Sequence, residues 1–327
     1  MLLRTEASSW AADAPIPGVL AGLVLLVVGA ELLVRGAVWI ALAIGMSRMA
    51  VGLTLVAIGT SLPELLVSLT AARTGRDAIA MANVLGSNVA NVLLIVGTAA
   101  AIRAVHLRVR WFELGYMLLL SALAVVPFFV GAFVERWLAA AMVAVLALFL
   151  AQLLARERAS RHLMRDEPRH VATPAGWALH AAWLAAGFAM LAYGAEWLVD
   201  GAAAIALSIG MSEAVVGMTV VAVGTSLPEL ATSLVAALRG QPEICVGNVV
   251  GSNIFNVGAV LGVAGLLQPF PVDTEGRWRL MWVAVGSAAL MVAGLRTARG
   301  VPRLAGFAFL AAYAAFMAYE VANSGAL

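Results

Sequence analysis

The string GTSLPEL occurs twice, at 59–65 and at 224–230, and each copy sets a glutamate directly behind a proline in an otherwise apolar stretch. About twenty residues on, each copy is followed by GSNxxN, at 86–91 and 251–256. The residue types that can do chemistry here are few: the carboxylates of Glu64 and Glu229, the hydroxyls of Thr60, Ser61 and Ser87 with their repeats Thr225, Ser226 and Ser252, and the amides of Asn91 and Asn256. All are oxygen donors, and neither sulfur nor imidazole stands among them. Two carboxylates in one low-dielectric pocket repel unless a proton or a cation neutralises them. An all-oxygen set suits a hard cation: calcium accepts six to eight oxygens in tolerant geometry, magnesium demands a tighter octahedron with retained water, and sodium can use the same oxygens. The expected chemistry is reversible cation binding.

Pro63 and Pro228 remove a backbone N–H and clash with the preceding turn. The carbonyls near Gly59–Thr60 and Gly224–Thr225 should therefore lose their helical donors, and Gly59, Gly86, Gly224 and Gly251 should ease local unwinding. A hydroxyl inside a span commonly bonds back to its own helix; repetition beside Pro–Glu argues for ligands here. Asn88 and Asn253 are expected to cap or bridge helix breaks, and Asn83 and Asn248 to stand behind the site.

These residues must be positioned in lipid. Of 327 residues, 63% are hydrophobic and 12% charged, where a soluble domain carries about a quarter charged residues. Apolar runs of roughly 20 residues, enough to cross ~30 Å of hydrocarbon as helix, recur near 18–45, 50–72, 78–101, 112–131, 137–155, 176–208, 214–237, 244–267, 279–295 and 303–321. A charge at mid-bilayer costs at least ~3 kcal/mol, so carboxylates in such runs are rarely idle. The N-terminus shows no basic stretch, apolar core and cleavage site of a signal peptide. Cys245 has no partner in the chain.

The second half repeats the first at an offset of 165: laying 29–97 over 194–262 without a gap gives about 40 identities in 69 positions. Shared hydrophobicity does not match GTSLPEL with GTSLPEL, so this is a duplication. An odd number of spans per unit forces the second copy to enter from the opposite face, an inverted repeat. The expected fold is an all-α membrane protein of ten transmembrane helices in two inverted five-helix repeats (1–155 and 176–327), with broken helices at the midplane and a cytoplasmic linker over 156–175. All 20 basic residues are arginine: 13 fall on one side under this count, 6 on the other, and Arg35 within the first span. The positive-inside bias then places both termini outside.

Glu31 and Arg35, spaced i,i+4, most simply pair along their helix; Arg35 with Asp200 is the alternative. The long first and sixth spans read as tilted gates packing on the core through Gly36, Ala37, Gly201 and Ala202. His106, His162, His170 and His180 lie in or near polar linkers without metal-ligand spacing. Trp111, Trp137 and Trp177 suit interface anchors.

The paired GTSLPEL and GSNxxN segments resemble the alpha-repeats of the sodium/calcium exchanger family, within the calcium/cation antiporter superfamily, in its compact prokaryote-type form. The resemblance implies exchange of sodium for calcium by alternating access across the cell (inner) membrane. It implies that Glu64 and Glu229 hold calcium with the carbonyls of Thr60 and Thr225, and that Ala57, Ser61, Ser87, Ala222, Thr225, Ser226 and Ser252 line flanking sodium sites, with Asn91 and Asn256 at the centre. Some relatives, potassium-dependent ones among them, carry aspartate where this chain has Asn256. Two negative charges balance one Ca²⁺ or two Na⁺; a third sodium, implied by the family's sites, makes exchange electrogenic. The rival readings are a proton- or potassium-coupled calcium antiporter and a passive cation channel. An enzyme is not expected: no nucleophile–base pair, phosphate loop or cofactor motif occurs. Ca²⁺ and Na⁺ are the expected substrates and the lipid bilayer the surroundings. The net charge of +2 is too small to point to nucleic acid, and no obligate protein partner or cofactor is expected.

Overall fold

In a computed structural model, the described residues are 6–73, 77–105, 109–160, 173–211, 222–272, 274–296 and 300–323. They are almost wholly helical, as backbone in lipid must be, since only helices and closed barrels satisfy every N–H and C=O internally. After a short helix at Glu6–Asp13 come α1 (Pro15–Ile44), α2 (Arg48–Thr60), α3 (Leu62–Arg73), α4 (Ala80–Ile102), α5 (Trp111–Phe129) and α6 (Arg136–Ser160). The second half gives α7 (Pro174–Ser208), α8 (Leu227–Leu238), α9 (Pro242–Leu267), α10 (Thr274–Arg296) and α11 (Arg303–Asn323). Among the described residues, eight helices are long and apolar enough to cross a bilayer, nine when α2 and α3 count as one span bent by 46°. The span expected at 214–237 falls partly on residues 212–221, outside the described set; its described part is α8. The linker residues 161–172 and His106, His162 and His170 also lie outside it.

The core is a packed set of the interrupted helices. Helix α9 lies directly on α2, and glycine permits the approach: a Cβ on Gly247 would sit 2.8 Å from the Met49 carbonyl oxygen, and one on Gly251 would sit 2.7 Å from Ala57 Cβ. Gly251 therefore allows close packing rather than unwinding, which corrects the expectation from sequence. The chain runs helically through Gly86 and Gly251, and α4 and α9 widen into π-turns further on, at Ala90–Val96 and Asn256–Leu261; α2 does so at Gly52–Val56. Widening keeps the backbone bonded internally, where an open break would leave carbonyls bare in lipid.

Outside this core, α1 and α7 cross along their lengths. A Cβ on Gly22 or on Gly194 would come within 2.9 Å of the other helix's backbone, and one on Gly29 or Gly187 within 3.0 Å. Gly36 and Gly201 also face the opposite long helix, meeting Leu184 and Pro15–Val19. These small residues join the two long helices to each other, not to the core as expected. Small residues at such crossings let backbones approach and gain dispersion contact. Gly187→Leu is accordingly expected to pry the pair apart and destabilise the protein by more than the ~1–3 kcal/mol of ordinary overpacking, read as a large fall in thermal midpoint in detergent.

Two short strand contacts report the repeat relation. β1 (Phe133–Val134), just after α5, pairs antiparallel with β2 (Phe270–Pro271), just after α9. Val105, just after α4, bridges Val301, just before α11. Subtracting the offset from β2 returns Val105, so these are the same contact in the two copies. They sit at opposite ends of α5.

Candidate cation site

The break between α2 and α3 is at Ser61 (φ −86°, ψ 7°), and that before α8 is at Ser226 (φ −89°, ψ 4°). Both occupy the sparsely populated bridge region. Leu65 N reaches back to Ser61 O (3.2 Å) and Leu230 N to Ser226 O (3.0 Å), so a new helix starts at once in each copy. Glu64 and Glu229 fall in the first turns of these new helices. Their charge there meets the positive end of the helix dipole, which stabilises a carboxylate.

The site is dry. Glu64, Glu229, Asn91, Asn256, Thr60 and Ser226 are each about 1% exposed, and Ala57 and Ser252 are fully buried. Ser61 and Ser87 are buried and Thr225 half-buried; the side chain of Ala222, at the start of a one-turn helix, lies outside the described set. The two halves interlock at the glutamates. Ser61 Oγ of the first copy donates to Glu229 Oε1 of the second (3.0 Å), and Thr60 Oγ1 donates to Asn248 Oδ1 (3.1 Å). Ser61 stands three residues before Glu64, so its bond to Glu229 ties the two glutamate-bearing segments together. Asn248 Nδ2 donates to the Glu229 carbonyl (3.4 Å) and to Ser233 Oγ (3.0 Å), and Asn83 does the same for Glu64 (3.1 Å) and Ser68 (3.0 Å). Both asparagines stand behind the glutamates, as expected from the sequence.

Between α4 and α9 the amides pair crosswise. Asn91 Nδ2 donates to Asn253 Oδ1 (2.9 Å), and Asn256 Nδ2 to Asn88 Oδ1 (3.0 Å). Asn88 and Asn253 thus join two helices instead of capping breaks. The signal for this lies in the motif: the asparagines of GSNxxN are spaced i,i+3, on one helical face. The π-turns beginning at Ala90 and Asn256 have no sequence signal that we can name.

Seven buried oxygens gathered from both repeats carry no hydrogen bond among the described residues: both of Glu64, Glu229 Oε2, Asn91 Oδ1, Asn256 Oδ1, Ser226 Oγ and Ser252 Oγ. Buried polar atoms are normally bonded, so each exception calls for a reason. Outside this set Glu113 Oε2, Glu243 Oε2 and Thr232 Oγ1 are also unbonded among the described residues, but singly, while Glu157 and the other oxygen of Glu113 have protein partners. Glu157 accepts from Ser47 N (2.7 Å) and Oγ (3.1 Å), and Glu113 Oε1 accepts from Arg110 Nε and Nη2 (2.8 and 2.6 Å). Among the described residues no group of three or more His, Cys, Asp or Glu side chains could hold a metal ion. The donor set is two carboxylates plus neutral oxygens, a set whose chemistry suits a hard cation.

The repeats are in different arrangements. Ser61 bonds Glu229, while Ser226 and Glu64 make no such bond. Helix α1 packs along α8; α7 makes no comparable contact with α3 among the described residues. At the α1–α8 seam Glu31, paired with Arg35 as expected, also accepts from Arg239 Nε (2.8 Å). His180 lies in α7, stacked on Trp39 at 4.2 Å, with its Nδ1 2.7 Å from the Gly176 carbonyl oxygen. Trp111, Trp137 and Trp177 are exposed near helix ends, where anchors sit.

The family model described as "Sodium/calcium exchanger protein" matches residues 15–155 and 179–322. A putative antiporter of Alkalimonas amylolytica, CaxA, is 36% identical over 305 residues, covering 90% of this chain and 95% of its own. The inner membrane protein YrbG of Escherichia coli is 36% identical over 217 residues, 64% of this chain and 67% of its own. A solved sodium/calcium exchanger from Methanococcus jannaschii superposes with a TM-score of 0.78 at 29% identity, over 94% of this chain and 98% of that one.

Proposed function

The chain belongs to the sodium/calcium exchanger family and is a multi-pass membrane antiporter of cations; on that premise we propose that it exchanges Na⁺ for Ca²⁺ by alternating access at one central site. The observation that carries this reading is the set of unbonded, buried oxygens around Glu64 and Glu229. Calcium is held by the two glutamates and the Thr60 and Thr225 carbonyls. Sodium takes flanking positions lined by Ala57, Ser61, Ser87, Ala222, Thr225, Ser226 and Ser252, with Asn91 and Asn256 between them. One Ca²⁺ or two Na⁺ cancel the two negative charges, and a third sodium makes the cycle electrogenic. A pocket without cations holds two like charges in a low-dielectric core and resists crossing, which favours exchange over leak.

The unlike arrangement of the repeats supports alternation. Exchanging the roles of the two copies would move α7 onto α3, form the Ser226–Glu64 bond and release Ser61 from Glu229. Ten spans, with both termini outside and the linker in the cytoplasm of a cell with an inner membrane, accord with the arginine distribution. The test is ⁴⁵Ca uptake into proteoliposomes under separately imposed Na⁺, K⁺ and H⁺ gradients. Uptake driven by outward Na⁺ alone is expected. Uptake driven only by protons or potassium would reassign the coupling ion, and uptake needing no counter-ion would make the protein a channel.

A further inference from the structure

Asn91 and Asn256 face a problem that glutamate does not. An amide has an oxygen on one side and an N–H donor on the other, so a half-turn replaces a cation ligand by a group that repels cations. Something must hold each amide one way round.

The structure contains that device. Asn253, 3% exposed, lies between Asn91 and Met117, which is itself 1% exposed on α5. Its Nδ2 faces Met117 Sδ at 3.9 Å, and its Oδ1 accepts from Asn91 Nδ2 at 2.9 Å. A thioether sulfur accepts but cannot donate. Turning Asn253 over would set its oxygen against sulfur lone pairs and its N–H group against that of Asn91. Met117 thus fixes Asn253, Asn253 fixes Asn91, and Asn91 Oδ1 is left free of any protein partner among the described residues. The second copy repeats the amide pair without a sulfur anchor of its own: Asn88 Oδ1 takes Asn256 Nδ2 at 3.0 Å, leaving Asn256 Oδ1 unbonded among the described residues. Asn88 and Asn253 also line one small cavity with Ser121, whose hydroxyl proton goes to the Met117 carbonyl at 2.8 Å.

We propose that Asn253 and Asn88 are positioning residues that lock the amides of Asn91 and Asn256 so that both present a carbonyl oxygen, and never an N–H, to the cation. Neither touches the ion. The proposal rests on the central cation site proposed above.

A double-mutant cycle on calcium affinity separates orientation from packing. Asn253→Leu removes the acceptor while keeping the branched shape of the side chain, and frees the Asn91 amide to turn. Asn91→Asp replaces the amide by a carboxylate, which offers oxygen from either side. Calcium binding to detergent-purified protein by titration calorimetry reads all four variants whether or not they transport. Asn253→Leu is expected to weaken binding by about tenfold when residue 91 is Asn, the scale of one buried hydrogen bond. When residue 91 is Asp the loss should shrink to about twofold or less. The same loss in both backgrounds would overturn the proposal. Asn88→Leu crossed with Asn256→Asp is the mirror experiment, read by the same criterion if Asn253→Leu does not fold. Failure of the wild-type protein to bind calcium would instead strike the site itself.

Discussion

Glu64→Gln and Glu229→Gln are each expected to abolish calcium transport, by more than a hundredfold, while leaving the fold intact. Glutamine keeps the size and one oxygen of glutamate but brings an N–H group and no charge. The remaining carboxylate cannot neutralise a divalent ion alone, and removing one partner from a buried charge pair typically costs about 3–5 kcal/mol. Because each glutamate comes from a different repeat, the two substitutions should be equally severe. ⁴⁵Ca uptake under a sodium gradient checks this, with folding followed by size-exclusion elution. Full flux in either variant would remove that residue from the site.

The same substitutions should raise stability when no divalent ion is present. Two carboxylates at about 1% exposure repel each other, and three of their four oxygens have no hydrogen-bond partner among the described residues. Replacing one by a neutral amide relieves that repulsion, by on the order of 1–3 kcal/mol on the scale of unpaired buried polar groups. Calcium at a thousand times its dissociation constant should stabilise the wild-type protein by about 4.1 kcal/mol and the variants hardly at all. Thermal midpoints with and without calcium should therefore cross: Glu64→Gln above wild type in chelator, below it in calcium. A variant less stable than wild type in both conditions would mean that the glutamates are structural.

Much of this is legible in the sequence because the bilayer leaves few alternatives. A carboxylate behind a proline, written twice at a set offset, marks Glu64 and Glu229; both are buried, and Ser61 of the first break bonds Glu229 of the second copy. The Glu31–Arg35 pair follows from i,i+4 spacing alone. The corrected expectations share one cause: spacing along a chain does not say which element a small or polar side chain meets. Gly251 reads as a loosening residue, whereas it admits Ala57; Asn88 and Asn253 read as caps, whereas they bond across to the other repeat. Nor can two copies that share their motifs reveal that they hold different arrangements, since the shared local preferences permit both.

The most direct test of the central claim is to locate the ion. Crystals grown in calcium and measured near the calcium absorption edge are expected to give one anomalous peak between Glu64 and Glu229, with oxygens of both side chains at about 2.3–2.6 Å. A peak bound by only one of the two, or none there while calcium is bound elsewhere in the membrane core, would contradict the account.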